Sequence, residues 1–494
     1  MKRYLRKINK SVLLLIIFCL ILFFPGILTY FHQDDFIHLY HSQTFEQLIS
    51  AFNIFQKGEF PFYRPIPTQL YFYFGQKLFG LNPIPYHLVN FLIYSFNIVL
   101  VFKLIRLITG SRNIASAALI FYAINSTHFA PLYSPAYVHE LFYVMFGLLT
   151  AIYFYLSLHG KKMKNYLMSI LFFIFALMSK ETAVVLPGIL ALIYLYNSKK
   201  KKLWILIKTF FPFVLVLTVY LLAHFYLYGI AQSTSYQFII GKKSLNILVW
   251  YLLWALSTPN ILIDFVGPGL RFNPVFFQVA GLYGFIFALV SAVCLTVGFL
   301  ILLKLVMVAR VRSLTKDIKL FIFGLTWFVL GMIPLIVFPL HKLATEQAFS
   351  LVGLSLSLSI MVKTASILIK GGKILTTLFL GTYLLMAINT IFLANRTHWI
   401  VRSSYQAGRV IRFIKESYPY LPDNAVIYIK NGLVKIPQYG SSRQIYTALG
   451  NGVGLKLVLK KPDLKYYFED INPQPQLLDD ENTIILQASD FLGY

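Results

Sequence analysis

Apolar runs of membrane-spanning length recur along the chain, separated by short polar stretches, and they predict a polytopic helical protein. They fall near residues 11–31, 86–108, 114–131, 138–158, 165–179, 183–197, 203–228, 275–303, 318–340, 347–369 and 374–394, about eleven spans in all. A hydrocarbon core asks for roughly 20 residues of helix. The two runs flanking Ser179 are shorter and predict a tight hairpin. The stretch Ser244–Phe265 is apolar but interrupted by Thr258-Pro259-Asn260, and reads as a helix lying on, or dipping into, the outer face. Past residue 395 the pattern changes. An amphipathic helix is predicted from Tyr405 to Glu416, then the punctuation of Pro419 and Pro422, then strand-like runs at Ala425–Ile429, Leu455–Leu459 and Thr483–Leu486. The expected fold is therefore mainly α. A transmembrane module covers residues 1–394, and a small C-terminal extracytoplasmic α/β module covers residues 395–494.

Composition agrees with this class. Of 494 residues 58% are hydrophobic and only 13% charged, with mean hydropathy +0.69. A soluble fold of this length could not hide so much apolar surface, whereas lipid covers it. The first run lacks a small-residue cleavage site and reads as an uncleaved anchor. Cys19 and Cys294 fall in predicted spans and read as packing residues.

The net charge of +26 sharpens the threading. With the N-terminus inside, the stretches Lys2–Lys10, Lys103–Arg112, Lys161–Lys164, Lys199–Lys202, Lys304–Lys319 and Lys363–Lys373 face the cytoplasm, and Asp317 is the single acid among them. This is the positive-inside pattern, and it accounts for the basic excess without nucleic acid. The other acids before residue 395 are Asp34, Asp35, Glu46, Glu59, Glu140, Glu181, Asp264 and Glu346. All are expected on or near the outer side, so chemistry is expected there, at a plasma or inner membrane, with the tail extracytoplasmic.

The candidate chemistry concentrates in the loop after the first span. Asp34-Asp35 places two carboxylates at an apolar boundary, where repulsion and lost hydration tune them for proton transfer. Arg64, in Phe62-Tyr63-Arg64-Pro65, is a fork donor suited to phosphate oxygens, or else the partner of Asp35 in an interfacial ion pair. Further groups are His87 and Asn90 at the start of the second span, His139-Glu140, Ser179-Lys180-Glu181, and His341-Lys342 with Glu346. A Lys180–Glu181 pair at membrane depth is expected, since a lone charge there is costly. No His/Cys/Asp spacing matches a metal site, although two carboxylates could hold a divalent metal. No P-loop, G-x-S-x-G or Gly-rich dinucleotide element occurs, and the inner loops are too short for a nucleotide-binding domain.

In order and placement, Asp34-Asp35, Tyr63-Arg64-Pro65, His87 with Asn90, His139-Glu140, and Ser179-Lys180-Glu181 followed by Pro187 resemble the integral-membrane glycosyltransferases of the GT-C class. The nearest branch is that of the protein O-mannosyltransferases and the bacterial aminoarabinose transferases. The resemblance covers roughly the first 200 residues. It departs at Thr345-Glu346-Gln347, where the family's late Glu-Arg element has Gln in place of Arg.

The resemblance implies a glycosyltransferase of the cell envelope. It would move a sugar, with inversion, from a polyprenyl-phosphate donor to a hydroxyl of a protein, lipid or glycan acceptor at the outer face. Asp34 is expected as general base and Asp35 as its companion, with Arg64, Lys180 and Lys342 on the donor phosphate. His87, Asn90, His139, Glu140, Glu181 and Glu346 would support them. The rival is a transporter or lipid-linked sugar flippase, since ionisable groups within the membrane also mark transport pathways.

Overall fold

The computed structural model describes residues 10–160, 162–197, 203–229, 236–267, 271–309, 315–422, 425–431, 440–472 and 482–492. Many of the basic residues read as cytoplasmic, among them Lys2, Arg3, Arg6, Lys7, Lys161, Lys199 to Lys202, Arg310 and Arg312, lie outside these.

Among the described residues seven helices are long and apolar enough to cross a membrane: Pro83–Thr109, Pro135–Gly160, Trp204–Tyr228, Leu282–Val308, Lys316–Ile336, Leu351–Leu368 and Gly372–Ser417. The protein is a multi-pass integral membrane protein. Three further apolar helices, Lys10–Leu22, Met163–Leu177 and Glu181–Asn197, are shorter. The expected run at 114–131 is broken. A helix covers Arg112–Ala123, the side chain of Asn125 then caps a single turn at Ser126–His128, and a short helix Phe129–Tyr133 follows. The first run also stops early, at Leu22, because Pro25 cannot continue the ladder and a tighter turn takes over at Phe24–Leu28.

Local chemistry explains where the long helices start and stop. Asn82 caps Pro83–Thr109 through the amide of Ile84, with Pro83 in the first turn, where its missing N–H costs nothing. Gly110 ends that helix in the left-handed conformation at φ 72°, and Ser111 caps the next one through Ile114.

The tail is an α/β unit. Three parallel strands run in the order Lys465–Phe468, Val426–Lys430, Thr483–Gln487, with Tyr428 opposite both Tyr467 and Ile485. The amphipathic helix is longer than its pattern indicated, Trp399–Ser417, and continues from Gly372–Thr397 across the expected boundary at residue 395. One expected strand is a helix: Leu455–Leu459 lies within Val453–Leu459. Alternating leucines there mimic a strand, but burial follows Leu455 and Val458, three apart, on one helical face. Lys465–Phe468, a strand the pattern did not predict, takes the edge instead.

Two hydrophobic cores result. The larger unites the membrane helices. The smaller joins the loop after the first helix to the tail: Phe31, Phe36, Leu39, Phe72 and Tyr86 pack with Ile411, Ile427, Leu449, Leu455 and Phe468.

Candidate active site

The first acidic loop folds as a short helix, Asp34–Tyr40, and the turn that starts it sets the directions of the two carboxylates. Asp35 points inward and is fully buried. Its Oδ1 accepts from the Ala136 amide (2.7 Å) and the Ser134 hydroxyl (3.0 Å), and its Oδ2 from the His32 amide (3.0 Å). Burial pushes its carboxyl up to about 7, against the pull of those donors. Asp34 is solvent-exposed but ringed by protein, and the loss of surrounding water raises its carboxyl above the usual range, while His139 and Arg64 act on it in the opposite sense. The two acids therefore do not converge on a common point. Among the described residues no group of three or more His, Cys, Asp or Glu side chains could hold a metal ion.

Between them the acids have a strained neighbour. Gln33 precedes the helix at φ 43°, ψ −117°, the corner of a turn closed by the Asp35 amide on the His32 carbonyl (3.0 Å). Glycine ordinarily takes that corner, and holding a side chain there costs on the order of 1–3 kcal/mol. The tail holds it: the Gln33 amide donates to the Ala448 carbonyl (2.8 Å), and its side-chain amide to Ser403 Oγ (3.3 Å).

His87 and Asn90 frame this turn from below. Both are buried. His87 Nε2 donates to the Thr29 carbonyl (3.1 Å). Asn90 Nδ2 donates to the Pro131 carbonyl (2.9 Å), and its Oδ1 accepts from the Tyr71 hydroxyl (2.8 Å). Asn90 thus steadies the 131–134 segment, whose Ser134 in turn holds Asp35.

The cations are paired differently from expectation. Arg64 does not reach Asp35. It binds Glu181 as a fork, with Nε to Oε1 at 3.0 Å and Nη2 to Oε2 at 2.7 Å, and its plane lies over the Phe62 ring at 4.3 Å. Beside it is a cavity of ≈ 60 Å³ lined by Tyr63, Arg64, Gln69 and Tyr228, room enough for ordered water.

Lys180 does not pair with Glu181. It lies between Glu140, which it contacts directly, and Glu346 at 3.1 Å. The reason is directional. Lys180 is extended at φ −162°, the next residue begins a tight helical turn, and so the two neighbours leave the turn toward different partners. His139 lies 3.5 Å from Glu140, and His341 3.3 Å from Glu346. Burial opposes ionisation of Glu346, but Lys180 and then His341 hold its carboxyl below the usual range. Lys342 is exposed, within the field of Asp264, and makes no ion pair with the cluster among the described residues. Gln347 turns into the bundle. With its amide oriented to satisfy both ends, it donates to the Tyr251 carbonyl (2.7 Å) and accepts from the Ala255 amide (3.2 Å).

Sequence reasoning missed Ser134, Ala136, Tyr137 and Tyr251. Tyr251 reaches Glu346 at 3.4 Å, and Tyr137 lies in the combined field of Asp34, Glu346 and Glu140. Only the Ser134-Pro135 break before an apolar run offered a signal.

With this geometry in view, the comparisons with known proteins fall on the same ground. Residues 64–228 match the family of dolichyl-phosphate-mannose-protein mannosyltransferases. The likeness to integral-membrane glycosyltransferases stated from the motifs is thus found again in the segment that holds Arg64, His87, Asn90, His139, Glu140, Lys180 and Glu181. Asp34 and Asp35 lie outside it, in the loop that precedes residue 64. No curated protein matches the chain. Among solved structures, ArnT from Cupriavidus metallidurans bound to undecaprenyl phosphate is 13% identical, with 92% of this chain and 89% of that chain covered and a TM-score of 0.42. The Archaeoglobus fulgidus oligosaccharyltransferase in its apo form is 11% identical, over 93% of this chain and 64% of that one, with a TM-score of 0.46.

The direction of the Asp35 shift predicts a pH dependence of stability. A carboxyl raised to about 7 when folded keeps its proton where the unfolded chain has lost it. The native state then binds more protons between roughly pH 4 and pH 7, so this group's contribution falls as pH rises through that window. Asp35→Asn should remove this group's share of the slope. It should also cost about 1–3 kcal/mol, because its NH₂ would face the His32 N–H or the pair of donors at Oδ1. Thermal unfolding across pH 4–8 measures both, and an unchanged slope in the variant would assign the dependence elsewhere.

Proposed function

We propose that the protein transfers a sugar from a polyprenyl-phosphate donor to an acceptor hydroxyl at the outer face of the membrane. The observation that carries the reading is the placement of Asp34. It is a solvent-reaching carboxylate with a raised affinity for protons, within the field of Arg64 and His139, in the loop that precedes the segment 64–228 matching the mannosyltransferase family. A raised pKa makes the carboxylate a stronger base toward the acceptor proton. Asp34 takes the proton of the acceptor hydroxyl, the oxygen attacks the anomeric carbon, and the bond to the phosphate oxygen breaks. The polyprenyl phosphate leaves with that electron pair. Arg64 meets the developing charge, and Glu181 fixes the orientation of its fork. Asp35, His87 and Asn90 hold the turn. Lys180, between two carboxylates, ties Glu140 to Glu346, and would reach a phosphate only by leaving one of them.

The test uses the purified protein with a radiolabelled polyprenyl-phosphate sugar and candidate acceptors. Acceptor-dependent release of polyprenyl phosphate supports transfer. Movement of the intact labelled lipid between leaflets without release would favour the flippase reading instead.

Orientation is part of this proposal. Tyr420, 94% exposed, stands on the tail. The Tyr420→Cys variant should react with a membrane-impermeant thiol reagent in intact cells or spheroplasts, while Cys19 and Cys294 are buried and should stay silent. Labelling only after permeabilisation would place the tail inside and reverse the threading.

A further inference from the structure

The C-terminal unit sits against the first loop at one backbone position above all. Gln33 holds a conformation that its side chain disfavours, directly before Asp34. Its amide is bonded to the Ala448 carbonyl and its side chain to Ser403, so both restraints come from the tail. Tyr30, three residues earlier, is fastened to the same helix, its amide donating to Ser404 Oγ at 2.7 Å. The approach is close. A Cβ on Gly450 would come to 2.7 Å from the Gln33 carbonyl oxygen and 2.8 Å from Phe36 Cβ, and Gly450 itself sits at φ 62°, so no side chain fits. A strained residue persists only where its surroundings over-determine it, and here the surroundings belong to a part of the chain far away in sequence.

We propose that Gln33 is a positioning residue, and that the C-terminal unit acts in transfer by clamping it so that Asp34 is aimed at the acceptor. This rests on the reading of Asp34 as general base. The unit is then part of the catalytic apparatus. Rotation of the Gln33 peptide would swing the start of the Asp34–Tyr40 helix, while Asp35 stays held by Ser134, Ala136 and His32. The carboxylate that moves is the exposed one.

The test is made on the full-length protein. Gln33→Gly relieves the backbone strain, keeps the amide bond to Ala448 and removes the Ser403 anchor, so the variant should melt at or above the temperature of the parent. Without the Ser403 anchor, glycine also reaches backbone conformations closed to glutamine, so Asp34 is no longer fixed and kcat should fall severalfold or more. Donor KM should stay within about twofold, since ground-state binding is untouched. Ser403→Ala should show the same split to a smaller degree. A Gln33→Gly protein that turns over like the parent overturns the proposal. So does one in which KM rises and kcat holds. A second readout needs no turnover. In the Asp34→Cys variant the thiol reacts with a charged thiol reagent at a rate set by its placement, and adding Gln33→Gly should change that rate severalfold. An unchanged rate defeats the positioning role. A changed rate with no sugar transfer by the parent protein would leave the clamp standing and reject the transferase reading.

Discussion

Asp34→Asn is expected to abolish transfer while leaving the protein folded and able to bind its donor. Asparagine keeps the shape of the side chain but cannot accept the proton from the attacking hydroxyl. General-base catalysis typically contributes 10²–10⁴-fold, so kcat should fall by about that factor. Stability should hardly move, because Asp34 is exposed, in contrast to the three bonds that tie down Asp35. In the parent enzyme the acid limb of the rate profile should sit above the ordinary carboxylate range, since surrounding protein raises the Asp34 pKa and activity is lost as the group takes up its proton. Parent-like kcat in Asp34→Asn would remove it from the base role. The neighbouring acid would be a poor substitute, being sealed from any acceptor.

Lys180→Met should damage the fold severely. It leaves Glu140, 1% exposed, and Glu346, 9% exposed, facing each other without their shared cation. Breaking a buried ion pair by removing one partner typically costs about 3–5 kcal/mol. The melting temperature should drop sharply, and replacing both acids by Gln in the Lys180→Met background should restore much of the loss. Glu181→Leu should restore none of it, because Glu181 serves Arg64. If Lys180→Met melts with the parent, the cluster is not a staple, and Lys180 is free to serve a ligand.

The spanning pattern was legible because lipid imposes it at every turn of helix. What it could not show was where a run breaks internally, as at Asn125 and Pro25, where one residue outweighs the apolar average. The site was legible as a set of residues but not as a set of pairs. Position in sequence suggested Lys180 with Glu181 and Arg64 with Asp35. The partners come instead from helices far apart in the chain, and only packing decides which side of a turn each side chain leaves. The strain at Gln33 had no signature at all, since glutamine is an unremarkable residue until the tail folds over it.

The bond from the Gln33 amide to the Ala448 carbonyl joins two points of the chain made far apart in time during synthesis. The membrane helices can insert and pack one after another, but the loop bearing Asp34 gains its bond to Ala448 only after residue 448 has been delivered. A protein cut short between residues 417 and 448 would keep its membrane helices and its Arg64–Glu181 fork yet lack the latch. If Asp34 is the base, synthesis itself would act as the safety catch, and an unfinished chain in the bilayer would hold that carboxylate out of line.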